Sequence, residues 1–290
     1  MKRSFPRDIL NPAREGLLSD LHPAYVLGHS DRELSRLRAQ ARLLEPATRQ
    51  IFREAGIDAG MRVLDIGSGA GDVAFLAAEL VGASGEVIGT DVAATAVAAA
   101  TRSAEERGLA RVSFREGDPA ELKFDRLFDA VVGRYVLLFQ ADPAAFVRKV
   151  ARHVRPGGLV VFHEPDWVGA RSIPPAPTYE RCCGWIRETF RRAGTDSNMA
   201  GKLFTTFIRA GLAAPQMRMQ TFIAGGAASE DFLRALADLI ETLIPSMERL
   251  GVATLSDVDM ETLVERLMHE ATENGSVIVG RAEIGAWARA

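Results

Sequence analysis

The chain has 290 residues, 47% of them hydrophobic, and its 35 basic and 38 acidic side chains leave a net charge of −3. Lys and Arg are scattered without aromatic interleaving, which argues against a nucleic-acid surface, and no run is apolar and long enough to cross a membrane. The basic start, Met1-Lys2-Arg3, lacks the apolar core of a signal peptide, and the two adjacent cysteines, Cys182 and Cys183, suit neither a disulfide framework nor a metal site. The expectation is a cytoplasmic protein with no metal, nucleic-acid or membrane partner. Homodimerisation is left open.

Residues 1–56 form a first zone. Ser30 and Glu33 make a capping-box pattern that opens a helix, and Leu34, Leu37, Ala41 and Leu44 draw its apolar stripe. Pro46 is expected to interrupt it, leaving a second short helix that ends at Ala55.

Residues 57–164 alternate strand and helix patterns, as a doubly wound parallel sheet requires. Arg62 to Ile66 read as a buried strand carrying Asp65 near its end, followed by Gly67, Ser68, Gly69 and Gly71 and then an apolar helical run. Glycines between a strand and a helix allow close backbone approach to a ligand, which the free N–H groups of the helix start can meet. A dinucleotide turn has the spacing G-x-G-x-x-G, but here Asp72 stands in place of the third glycine, where it would face a pyrophosphate. A second strand, residues 86–91, ends in Asp91, placed to accept both ribose hydroxyls of an adenosine moiety, with Val92 beside it. Then come an alanine-rich helix over 94–107 and a third strand over 112–115. Gly117-Asp118-Pro119 follows, then a fourth strand over 128–132 leading into Gly133-Arg134-Tyr135. A helix over 143–153 precedes the turn Arg155-Pro-Gly-Gly and a fifth strand that closes on His163 and Glu164.

Beyond residue 164 a loop holds four prolines, Pro165, Pro174, Pro175 and Pro177. Helices are expected over 179–193 and 198–210, a sixth strand over 216–224, and a helical insert over 229–272. Pro245 is expected to break the insert, and Ser256 with Asp259 to cap a later helix. The tail from Ser276 to Ala288 reads as a last strand.

Asp65-Ile-Gly67-Ser-Gly69-Ala-Gly71 resembles the D-x-G-x-G-x-G signature of class I S-adenosylmethionine-dependent methyltransferases, and the strands over residues 61–164 follow in that family's order. The resemblance implies a doubly wound, seven-stranded, mostly parallel α/β sheet, Rossmann-like, with its last strand antiparallel between the fifth and sixth. It also implies three parts: an N-terminal helical lid over 1–56, a cofactor-binding core over 57–164, and residues 165–290 completing the sheet with an insert on the substrate side. The cofactor would be S-adenosylmethionine, held by Asp65, Gly67, Ser68, Gly69, Asp91, Val92, Gly117, Asp118, Pro119 and Arg134. Asp118 would accept from the adenine amino group, while Tyr25 and Gln40 in the lid would meet the methionine end.

In-line methyl transfer depends mostly on alignment and exclusion of water. A proton acceptor is sought at His163, on the ligand edge of strand five, and at His29 in the lid. His163 and Glu164 are adjacent strand residues and must point to opposite faces. Trp167, Tyr179, Trp185, Phe190 and Phe204 are candidates to line an aromatic acceptor pocket. Gly133-Arg134-Tyr135 replaces the Asn/Asp-Pro-Pro-Tyr/Phe motif of nucleobase amine methyltransferases, so the expected acceptor is a small molecule of quinone-biosynthesis or natural-product type, methylated at O, N or C. Two other readings share the turn. A nicotinamide-dependent oxidoreductase is disfavoured by Asp72 and by the lack of a Tyr-x-x-x-Lys pair; the other is a non-catalytic, cofactor-binding regulator.

Overall fold

Near-continuous apolar runs such as Val63-Leu64 and Ala130-Val131-Val132 cannot face water on either side, and a parallel sheet between two helical layers buries both faces at once. The computed structural model describes residues 31–290, with side chains from Leu43 onward. In chain order the elements begin with α1 (Asp31–Ala55), β1 (Arg62–Ile66), α2 (Asp72–Val81), β2 (Glu86–Asp91), α3 (Ala94–Glu106), β3 (Val112–Glu116), β4 (Phe128–Arg134) and α4 (Pro143–Ala151). They continue with β5 (Val154–Asp166), β6 (Arg171–Ile173), α5 (Pro177–Arg192), α6 (Leu203–Ala210), β7 (Gln216–Gly225), α7 (Glu230–Arg249), α8 (Leu255–Val258), α9 (Met260–Glu273) and β8 (Val277–Arg289).

Strands β3, β2, β1, β4 and β5 lie side by side and parallel in that order. The chain reverses its direction of winding between β1 and β4, and open α/β sheets bind ligands at the carboxyl end of that switch. Strand β8 runs antiparallel, paired along Ala282–Arg289 with β5 and along Val277–Trp287 with β7. The expected antiparallel last strand thus stands between the fifth strand and strand 216–225. The sheet has eight strands, not the seven expected, because the three-residue β6 pairs with the start of β8 within the proline-rich loop.

One sheet face packs Val63, Val132, Val161 and Trp287 against Ile51 and Phe52 of α1 and Ala74 and Ala77 of α2. The other packs Leu64, Val131, Val160 and Phe162 against Val147 of α4 and Leu203 and Phe207 of α6. A separate core joins α5, α7 and α9 through Ile186, Leu236, Ile240 and Leu263.

Two expected breaks do not occur. Pro46 lies inside the continuous α1 and Pro245 inside the continuous α7. Each proline forfeits a helical hydrogen bond at a cost of about 3 kcal/mol. Buried residues on both sides offset it: Leu44, Ile51 and Phe52 in α1, and Leu243, Ile244 and Met247 in α7, each contributing roughly 1.5–3 kcal/mol on full burial. The C-terminal capping box is formed by Thr254 and Asp257, not by Ser256 and Asp259. Asp259 instead takes a left-handed φ of 49° where the chain turns from α8 into α9. The Ser30 side of the first capping pattern lies outside the described residues.

Two outcomes follow from this packing. A Cβ on Gly285 would stand 2.5 Å from Cγ1 of the fully buried Ile51, so α1 can lie on β8 only with glycine there. Gly285→Ala should cost about 1–3 kcal/mol, read as a lower urea midpoint; an unchanged midpoint would show that α1 can lift without penalty. Glu164 is buried, and its carboxylate accepts from the N–H groups of Val136 (3.0 Å), Leu137 (2.8 Å) and Leu138 (3.4 Å). Burial nevertheless pushes its carboxyl up to about 8 against those bonds. With a folded value above the unfolded one, the folded chain binds the extra proton, and stability falls as pH rises from about 5 to about 8. Thermal unfolding midpoints at pH 5.5 and 8 should differ more in the wild type than in Glu164→Gln, where this group no longer titrates.

Candidate functional site

The sheet brings the carboxyl ends of β1, β2 and β3 together, and with them most of the residues singled out in the sequence. After β1 the backbone turns through Gly67 and Gly69, with φ of 66° and 51°, conformations that glycine adopts without strain. A Cβ on Gly67 would press on Val136 at 2.8 Å, whereas nothing lies within 4 Å of the corresponding point on Gly69. The turn is therefore closed on the sheet side and open on the ligand side. Asp91 Oδ2 accepts from the Gly69 N–H at 2.8 Å and Oδ1 from the Ala93 N–H at 2.9 Å, so the acid that ends β2 also holds the turn. Val92 beside it is 58% exposed. Gly117 N–H donates to the Asp91 carbonyl at 2.9 Å, and Asp118 Oδ1 accepts from Ala120 N–H at 2.8 Å, which fixes the Gly117-Asp118-Pro119 loop beside β2. The Pro119 carbonyl is in turn held by His153 Nε2 at 2.8 Å.

Asp65 is fully buried, and both of its carboxylate oxygens lack a partner among the described residues, as does the buried hydroxyl of Ser68. Burial pushes the Asp65 carboxyl well above its usual range, against the pull of Arg134. An orphaned buried acid next to a glycine turn is an acceptor in search of a donor.

From Arg134 a chain of polar groups runs along one sheet face beneath α1. Arg134 Nη1 donates to Thr48 Oγ1 at 3.2 Å, Thr48 Oγ1 lies 3.1 Å from His163 Nδ1, and His163 Nε2 lies 3.1 Å from Glu283 Oε2. Tyr135 Oη donates to the same Glu283 oxygen at 2.6 Å, and Arg281 Nε pairs with Glu283 Oε1 at 2.8 Å. Arg281 also donates from Nη2 to Tyr135 Oη at 3.1 Å. Tyr135 holds this place with a φ of 59°, a strained conformation for a non-glycine residue. Burial lowers the His163 imidazole below its usual range and keeps it neutral. Burial also works against the Glu283 carboxylate, but Arg281, His163 and Tyr135 outweigh it and hold the carboxyl low. A neutral ring facing a carboxylate at Nε2 must carry its proton there, so Nδ1 is an acceptor facing the Thr48 hydroxyl, whose one proton it shares with the Leu44 carbonyl at 3.1 Å. Both ring nitrogens of His163 are thereby committed to neighbours. His163 faces Thr48, whereas Glu164 faces the backbone at 136–138, so the two adjacent residues do point to opposite faces.

The network ends at a cavity of about 220 Å³ between α1, α7, β7 and β8, lined by Leu44, Phe222, Phe232, Leu239, Arg281 and Glu283 among others. Glu283 pairs in register with Pro165, two residues beyond His163, which itself pairs with Arg134. The polar row thus leads from the β1–β4 switch point to the cavity.

Several candidates fall elsewhere. Tyr25 and His29 lie outside the described residues, and so does the side chain of Gln40, whose backbone is in α1. The proposed aromatic pocket does not form: Trp167, Tyr179 and Phe190 are core residues with Trp185 packed against them, and Phe204 is on the surface. Helical spacing on α5 turns Tyr179, Trp185 and Phe190 into the core shared with α7 and α9. Conversely, Thr48, Arg281 and Glu283 do not emerge from motif reading. Arg281 and Glu283 are two charges in the middle of a strand that is otherwise apolar up to Arg289 at its end, a signal present in the sequence. Thr48 gives none, because only the docking of α1 sets its role. Among the described residues no group of His, Cys, Asp and Glu could hold a metal ion, and no helix is long and apolar enough to cross a membrane.

Comparison with known proteins agrees with this geometry. A family model described as a methyltransferase domain matches residues 57–199. The nocamycin O-methyltransferase of Saccharothrix syringae is 35% identical over 143 residues, covering 49% of each chain. The ubiquinone/menaquinone biosynthesis C-methyltransferase of Bdellovibrio bacteriovorus is 34% identical over 127 residues, covering 43% of this chain and 52% of its own. The chain thus spans about half the length of these curated relatives. Among solved structures, the YcgJ protein of Bacillus subtilis superposes with a TM-score of 0.52 at 21% identity, over 84% of this chain and 98% of its own, a likeness of fold. The glycine turn and the acid ending β2 both fall within residues 57–199, the stretch that matches a methyltransferase domain.

Proposed function

We propose that the chain moves a methyl group from S-adenosylmethionine to an O, N or C atom of a small aromatic or quinone-like molecule bound in the cavity beside Glu283. The observation that carries this reading is the glycine turn held by Asp91, open on its ligand side at Gly69, with a polar row leading from it to an apolar cavity.

The residues present fit the cofactor. Asp91 uses each oxygen once, for Gly69 and Ala93, and a carboxylate has about four acceptor sites, which leaves two for a ribose diol. Val92 offers an exposed apolar surface for the adenine ring, and Asp118 sits in the loop beside it. The orphaned Asp65 carboxyl and the backbone of Gly67, Ser68 and Gly69 suit the charged methionine end, where Arg134, Tyr25 and Gln40 complete the proposed set. The chemistry supplied by the bound cofactor is an electrophilic methyl group on a sulfonium.

The chain's own contribution is alignment and exclusion of water. Leu44, Phe222, Phe232 and Leu239 give the cavity an apolar lining, and Glu283 gives its wall a fixed anionic acceptor. His163 then serves as a positioning residue: its Nε2–H orients Glu283, and Thr48 orients the ring. His29, from the N-terminal segment, remains a second proposed proton acceptor.

Titration calorimetry with S-adenosylhomocysteine, run beside NADH, tests the reading first. Micromolar binding of the former alone is expected, and NADH binding in its place would return the turn to an oxidoreductase. Asp91→Ala should weaken S-adenosylhomocysteine by roughly 10–100-fold, the range of a lost charge-assisted pair of hydrogen bonds. Methyl transfer from labelled S-adenosylmethionine to a panel of phenols, amines and quinones should then yield at least one product. Cofactor binding with no product across the panel would favour a non-catalytic regulator.

A further inference from the structure

The geometry points to the Arg281–Glu283 pair as the anchor for a single hydroxyl group on a two-ring aromatic ligand, with the cavity enclosing the rings. The ligand's fate as methyl acceptor rests on the function proposed above; its binding does not.

Size comes first. An apolar cavity of about 150 Å³ accommodates benzene, so 220 Å³ suits a fused two-ring skeleton better than a single ring or a long chain. Phe222 and Phe232 stack on each other in the cavity wall, with ring centroids 4.6 Å apart and planes 7° from parallel. Flat aromatic surface on the ligand complements such a wall.

The polar wall sets the ligand's one functional group. Arg281 and Glu283 are two residues apart on β8, and their side chains are only 14% and 10% exposed. Their charges already neutralise each other. A carboxylate on the ligand would meet Glu283, whereas an ammonium would meet Arg281. Either would bring an unbalanced charge out of water, at high cost. A hydroxyl can donate to the carboxylate and accept from the guanidinium, and it disturbs neither charge.

The count of acceptor sites agrees. The Glu283 carboxylate has about four lone-pair sites; the hydrogen bonds from Tyr135 and His163 both fall on Oε2, and Arg281 Nε stands against Oε1 as an ion pair while donating to Tyr135 Oη. Oε1 therefore keeps acceptor capacity for an incoming donor. Tyr135 and His163 also hold the carboxylate from behind, so it is in place before the ligand arrives.

The test is calorimetric titration of the full chain with 2-naphthol, naphthalene and 2-naphthoate. Expected is 2-naphthol binding at least about tenfold tighter than either of the others, since a site built around a hydroxyl penalises analogues that lack it. Glu283→Gln should cost 2-naphthol about tenfold or more and leave naphthalene unchanged. Because the exchange touches a buried network and could unfold the chain, Ala235→Leu provides a second variant. It fills the cavity from α7, leaves the network intact, and should abolish 2-naphthol binding while S-adenosylhomocysteine affinity is kept. Four results would overturn the inference: no 2-naphthol binding, equal binding of naphthalene, tightest binding of 2-naphthoate, or wild-type 2-naphthol affinity in either folded variant. Failure of S-adenosylhomocysteine to bind while 2-naphthol does would strike the proposed function and leave this anchor standing.

Discussion

Strand β8 is the constraint on which the site depends. It is hydrogen-bonded on both edges, to β5 and β6 on one side and to β7 on the other, so its position admits little adjustment. A strand held this way carries its side chains as rigidly as any element can, and Arg281 and Glu283 are two of them. Gly285 on the same strand lets Ile51 and the rest of α1 come down onto the sheet, which sets Thr48 over His163. Backbone pairing thereby places five charged or ionisable groups from distant parts of the chain within one network.

Such a network is costly unless complete, because each buried polar group left unpaired forfeits its hydration. The row from Arg134 to Glu283 meets that condition through Thr48, Tyr135 and Arg281. Asp65, in the same region, does not, and its two oxygens lack partners among the described residues. The satisfied row is a scaffold that holds its members still, whereas the buried Asp65 carboxyl has no comparable set of side-chain partners.

Binding and packing also divide along the chain. The loops after β1, β2 and β3 carry the residues suited to the cofactor, and they belong to the part that matches the family model. The cavity is built from α1, α7, β7 and β8, all of which lie outside that match. A shared cofactor site with a separately built acceptor wall is how one fold serves many substrates.

How much of this is legible in the sequence varies by residue. The glycine turn and Asp91 are local, since a strand, three glycines and an acid at a fixed spacing have nearly one way to fold, and the structure places them as the spacing requires. The parallel character of the sheet follows from the alternation of strand and helix patterns, and so does the burial of β1, β4 and β5, whereas the strand arrangement comes only with the family resemblance. Pro46 and Pro245 mislead because a local rule about proline is outweighed by apolar contacts made across the whole helix. Trp167 and Tyr179 mislead because aromatic character does not say which neighbour will bury a side chain. What the sequence by itself determines here is the cofactor turn and the class of sheet, both written in short-range spacing. The polar cavity wall, formed by Glu283 and Arg281 braced through His163 and Thr48, is decided only by tertiary structure, because its members meet through strand register and helix docking across separations of up to 148 residues.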